Sequence, residues 1–166
     1  MATVTEANRR ERPNVAVETV LVDALTFFPE ELDLLLADRA TEVLTRPGSD
    51  GGWGVVENLC HLRDWEAIFR ERAIAVLDQE LPNLVAYDDD LWSIERDYRR
   101  SDPRRALAEF RDHRGALLDR LREIPDSAWE RRGRHQLHGT MTLRAILERV
   151  REHDADHLLQ IRHALA

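Results

Sequence analysis

The sequence predicts an all-α fold, a four-helix bundle with a crossover connection, on three observations. Four segments carry apolar residues at three- and four-residue steps, and no segment sustains the period-two alternation of a half-buried strand. The connection between the second and third of those segments is about 25 residues long, more than a simple up-down hairpin needs. Helices that are apolar over about a third of their circumference must bury those faces against one another. With 166 residues the chain suits a single core.

Residues 1–14 are polar and aperiodic, with Arg9, Arg10, Glu11 and Arg12, and read as a flexible N-terminal arm; residues 15–166 form the single helical-bundle domain. The first apolar stripe is Val17, Val20, Leu21, Ala24, Leu25 and Phe28, continued by Leu32, Leu35 and Leu36. Pro29 interrupts it, and either kinks one helix or opens a second. Turn formers follow from Arg46 to Gly52.

The second long helix is expected from about Trp53 to Leu77, because Val55, Leu59, Leu62, Phe69, Ala73 and Val76 lie on one face. A connector carries Leu81-Pro82-Asn83 and Asp88-Asp89-Asp90, with a short helix around Leu91 to Tyr98. Asp102 before Pro103 is a helix start, an N-cap side chain followed by a residue whose missing N–H is not needed there. That helix carries Leu107, Phe110, Leu117, Leu121 and Ile124 and stops at Pro125. Asp126 to Met141 reads as a loop. Thr140 or Thr142 caps the last helix, whose stripe is Leu143, Ile146, Leu147, Val150, Leu158, Ile161 and Leu165.

Composition excludes several classes. The single cysteine, Cys60, cannot build an internal disulfide or a multi-cysteine metal site, so a metal here must use histidine and carboxylates. Every basic residue is arginine, which rules out Schiff-base lysine chemistry. The net charge of −8 lacks the basic field that drives binding to phosphate backbones, so no nucleic-acid partner is expected. No apolar run approaches the ~20 residues that span a bilayer, and the N-terminus lacks a signal-peptide core. A cytoplasmic protein with no membrane partner is expected.

Chemistry concentrates in the last helix, at His153-Asp154-Ala155-Asp156-His157. Histidines at i and i+4 project from one side a turn apart, within reach of one metal ion. The stripe Ile146, Val150, His153, His157, Ile161 puts both toward the core, where each ring nitrogen needs a partner. The spacing also arises easily by chance, and the alternative places one or both at the stripe edge, bonded to water or a carboxylate. His61, beside the stripe of the second helix, is the best-placed third ligand; His113 competes with it but suits a half-exposed surface position. His135 and His138 lie in the loop, and His163 near the C-terminus suits solvent and the helix dipole. Three neutral histidines with an open position match a catalytic rather than a structural zinc set. Asp154 stands where a metalloprotease helix has its glutamate, yet reads as a solvated carboxylate. Cys60 points about 100° away from His61 around the helix and reads as core.

The runs Gly52-Trp53-Gly54 with Glu57 to Asp64, and Gly139-Thr140-Met141-Thr142-Leu143 with His153 to Ile161, resemble the DinB superfamily of small bacterial helical-bundle proteins. The resemblance covers the chain after the N-terminal arm. It implies a four-helix bundle of right-handed, crossover-containing topology, often a homodimer, binding one divalent metal ion, zinc or nickel. By position the implied ligands are His61, His153 and His157. It further implies an enzyme in which the metal activates the thiolate of mycothiol or bacillithiol, as in mycothiol-dependent maleylpyruvate isomerase and the bacillithiol transferases, or a metal-dependent hydrolase. Gly54 departs from the small hydroxyl residue usual at that helix start.

The expected function is therefore a divalent-metal-binding enzyme that activates a low-molecular-weight thiol or water against a small electrophilic substrate. The alternative is a non-catalytic metal-binding or stress-related bundle whose ion would be buried without an adjacent cavity.

Overall fold

The computed structural model describes residues 12–49, 51–89 and 91–166. It contains α1 (Arg12–Leu36), a short α2 (Thr41–Thr45), α3 (Val55–Asp78), a single-turn α4 (Trp92–Glu95), α5 (Pro103–Leu121) and α6 (Leu143–Leu165). The four long helices form the expected bundle. Of the expected arm, residues 1–11 lie outside the described residues, and residues 12–14 belong to the first turn of α1. Among the described residues no helix is long and apolar enough to cross a membrane.

Ion pairs fix the helix directions. Arg63–Glu109, Glu66–Arg114 and Asp78–Arg120 link α3 to α5 in rising order on both helices, so these neighbours run parallel. Glu18–Arg144 and Glu31–Arg162 do the same for α1 and α6. Asn58 meets His157 while Phe69 meets His153, so α3 and α6 run antiparallel. A parallel pair adjacent in the chain needs a connection that returns along the bundle, which is why residues 79–102 form a long crossover.

Pro29 lies inside α1 rather than between two helices. A proline deprives the carbonyl four residues earlier, here Leu25, of its helical donor. The Leu25 carbonyl instead accepts from Arg114 Nη1 of α5 at 3.0 Å. Arg114 is fully buried, and its guanidinium also donates two bonds to Glu66 of α3 (2.8 and 2.8 Å) and two to Asp154 of α6 (2.9 and 3.0 Å). One side chain thus joins all four long helices. Asp154, expected in solvent, is 4% exposed because the buried face of α6 runs Val150, Asp154, His157, Ile161.

The segment expected as loop holds a 3-10 turn (Asp126–Glu130) and two strands, β2 (Arg132–His135) and β3 (Gly139–Thr142), antiparallel to each other. A third strand from the connector, β1 (Asn83–Leu84), pairs parallel with β2. Strands this short leave little room for alternation, and the inward positions of β2 are Gly133 and His135 rather than apolar residues. Gly133 is required by packing: a Cβ there would stand 2.8 Å from Leu84 and 2.9 Å from Val76, so the sheet lies close against α3.

Helix α3 begins at Val55, two residues later than expected, with Gly54 as its N-cap. A Cβ on Gly54 would stand 2.2 Å from the Arg46 carbonyl oxygen, which leaves no space for the hydroxyl residue usual at this position. Its N–H is satisfied by Glu57 Oε2 at 2.7 Å.

Candidate metal centre

Two antiparallel helices bring three imidazoles together. His61 comes from α3, and His153 and His157 from successive turns of α6, with ring centres 4.4–5.2 Å apart. One nitrogen from each ring lies within 4.8 Å of the others. Trp53 packs against His61 and His157, and Trp65 and Phe69 pack against His153. His61 and His157 are 7% and 6% exposed; His153 is half-buried at the edge of the helix face.

The nitrogens are unevenly satisfied, and the pattern has a direction. The Asn58 amide nitrogen donates to the Gly54 carbonyl at 2.9 Å, so the amide oxygen must face His157 Nδ1, 2.8 Å away. That oxygen only accepts, so Nδ1 carries the proton and Nε2 of His157 presents a lone pair. His61 Nδ1 and His153 Nε2 are buried with no hydrogen-bond partner among the described residues. An orphaned buried ring nitrogen costs about 1–3 kcal/mol, and two in one cluster are not expected where the role is merely structural.

Electrostatics favours the neutral form. Burial lowers the His153 pKa, with His157, His61 and Arg114 adding repulsion, to about 2. Burial and the neighbouring His61 lower His157 to about 4. Burial lowers His61 too, against the opposing pull of Asp89. All three rings are therefore uncharged at neutral pH with lone pairs free, the state a metal requires of its ligands. The residues present fit a divalent ion.

A cavity of about 370 Å3 opens beside the cluster, with His61 and His153 in its wall. Trp65, His135 and His138 also line it. His135 Nδ1 accepts from the backbone N–H groups of Leu137 and His138, which shapes the turn between β2 and β3. The structure does not bring His113 to the cluster: it sits half-buried on α5, and His163 is exposed near the end of α6. Cys60 is buried, and burial raises its thiol pKa, so it is a poor nucleophile.

Two further polar residues stand beside the cluster, Asn58 and Asp89, neither of them among the residues the sequence singles out. Asn58 lies one turn before His61, a polar residue inside an apolar stripe, and that misplacement was a usable signal. Asp89 had none, standing in a run of three aspartates. Its Oδ2 accepts from the Trp65 indole at 2.7 Å and stands 3.7 Å from His61 Nε2.

Comparison with known proteins agrees with this architecture. The sequence profile of the DinB superfamily matches residues 24–161. A Bacillus subtilis (strain 168) protein named "Putative metal-dependent hydrolase YfiT" is 32% identical over 98 residues, 56% of this chain. The alignment spans 55% of that relative's length. A solved structure of Bacillus subtilis YfiT, described as "a probable metal-dependent hydrolase with an unusual four-helix bundle topology", superposes with a TM-score of 0.80 at 24% identity. It covers 98% of this chain and 91% of that one, a likeness of fold.

Proposed function

This chain belongs to the DinB superfamily, and from that premise we propose that it is a metal-dependent enzyme whose ion is held by His61, His153 and His157. The observation that carries the reading is a pair of buried imidazole nitrogens without a partner among the described residues, on His61 and His153, whose rings line a cavity large enough for a small molecule. The alternative of a purely structural ion suits a closed site without such a cavity.

A divalent ion with an open position would lower the pKa of bound water or an incoming thiol and so supply a nucleophile at neutral pH. The protein's own groups do the rest. Asn58 holds His157 in one tautomer and one orientation. Trp53, Trp65 and Phe69 exclude water from the ring faces. Asp89, held by the Trp65 indole, has its carboxylate next to the ligands, where it can accept the proton the nucleophile loses. With Cys60 buried, any thiol in the reaction comes from a low-molecular-weight cofactor such as mycothiol or bacillithiol.

The test is a turnover assay on zinc- or nickel-loaded protein, pairing an electrophile such as a haloarene with a small thiol, and activated esters with water. Turnover in either arm that disappears on chelation and returns with metal is expected; turnover indifferent to chelation contradicts the reading.

A further inference from the structure

Arg72 of α3 and Arg149 of α6 both face the cavity that holds the histidine cluster. Arg72 lies against the rings of Trp65, Phe69 and Tyr87, its guanidinium carbon 5.4, 6.0 and 5.9 Å from their centres. Its Nη2 donates to the Val85 carbonyl at 2.7 Å, which anchors the group in the wall, while its Nε is buried with no partner among the described residues. Arg149 is exposed, and its Nη2 stands 3.3 Å from His138 Nε2. Of the carboxylates lining the cavity, Asp89 is engaged by Trp65, and neither Glu152 nor Asp156 forms an ion pair with either arginine.

Arg114 shows what a buried guanidinium ordinarily has, two carboxylates and a raised pKa. Burial pushes Arg72 the other way and the nearby Arg149 adds to it, against the opposing pulls of Tyr87 and Glu71, neither of which forms an ion pair with it. A half-buried guanidinium in a cavity wall, with no ion-paired carboxylate among the described residues, is matched by an oxyanion that accepts from its fork.

We propose that Arg72 and Arg149 form an anion subsite, which takes a carboxylate or phosphate group of the substrate while its reacting end faces His61 and His153. This rests on the reading of the cavity as a metal-dependent active site and narrows its substrates to small acids or phosphate esters.

Calorimetric titration of the zinc-loaded full chain with benzoate, phenyl phosphate and the neutral benzamide tests it. At least one anion should bind about tenfold or more tighter than benzamide, and which of the two binds better assigns carboxylate or phosphate. Arg72→Gln and Arg149→Gln should each remove most of that preference at unchanged zinc content and melting temperature. If Arg72→Gln does not fold, Arg149→Gln, an exposed position, carries the test. No preference in the parent, or a preference that survives in Arg149→Gln and in folded Arg72→Gln because the metal alone holds the anion, overturns the proposal. If instead the parent fails to take up zinc, the metal reading falls, and the anion preference and its loss in the variants are read on the metal-free protein.

Discussion

Adjacent residues of α6 enter two polar clusters that have opposite degrees of saturation. Asp154 joins Arg114 and Glu66, where the guanidinium donates to both carboxylates and to the Leu25 carbonyl. His153 joins His61 and His157, where two buried nitrogens have no partner among the described residues. Both clusters span α3 and α6, and both contain buried groups. The difference teaches how to sort buried polar groups in a bundle: those that hold the helices together satisfy one another, and those kept for a ligand leave valence open.

The largest expected effect comes from breaking the saturated cluster. Arg114→Met leaves two carboxylates buried without a cation and the Leu25 carbonyl without a donor. Denaturant unfolding should show a loss of about 3–5 kcal/mol, whereas replacing Arg114, Glu66 and Asp154 together by apolar residues should recover most of it. If the single variant costs less than about 1 kcal/mol, the cluster is not what joins the helices.

Breaking the open cluster should separate binding from stability. His61→Ala should lower zinc affinity by more than about 100-fold in a competition titration, with the metal-free protein losing far less stability than Arg114→Met does. Asn58→Ala frees the His157 ring to turn, and an affinity loss of about 10–100-fold is expected, a positioning effect. An affinity unchanged in Asn58→Ala would count against that role.

The smallest effect is in pH dependence. The cluster histidines have folded pKa values below the ordinary ~6.5, so between there and about 4 the unfolded chain binds more protons and the metal-free protein gains stability as pH rises. Their contribution is complete above about 6.5 and is lost as pH falls, by up to about 1.4 kcal/mol per pH unit for each ring. Asp154 acts with the opposite sign: burial raises its carboxyl to about 7, so its contribution fades as pH rises toward that value. Three rings outweigh one carboxyl, and His153→Ala should flatten the slope measured by unfolding between pH 4 and 6.5.

Long periodic segments made most of the fold legible in the sequence. The stripes of α3, α5 and α6 carried their own positions, and the Asp102-Pro103 start appears as a cap whose side chain accepts from Arg104 and Arg105. Parallel packing of α3 and α5 was foreshadowed only by connector length. The sheet escaped because its inward residues are Gly133 and His135, and the continuity of α1 through Pro29 escaped because the compensating donor, Arg114, is 89 positions away. In the site, the His153/His157 spacing is local and therefore readable. The third histidine needed a motif, and Asp89 becomes a neighbour of the cluster only when the crossover folds back over α3.

The central claim is that the open cluster exists to hold a metal ion, and metal analysis of protein purified without an affinity tag tests it most directly. Elemental analysis should find close to one zinc or nickel ion per chain in the parent and background levels in His61→Ala and His153→Ala, each folded by circular dichroism. A parent that carries no metal and takes up none on reconstitution, or variants that retain the parent's content, would contradict it.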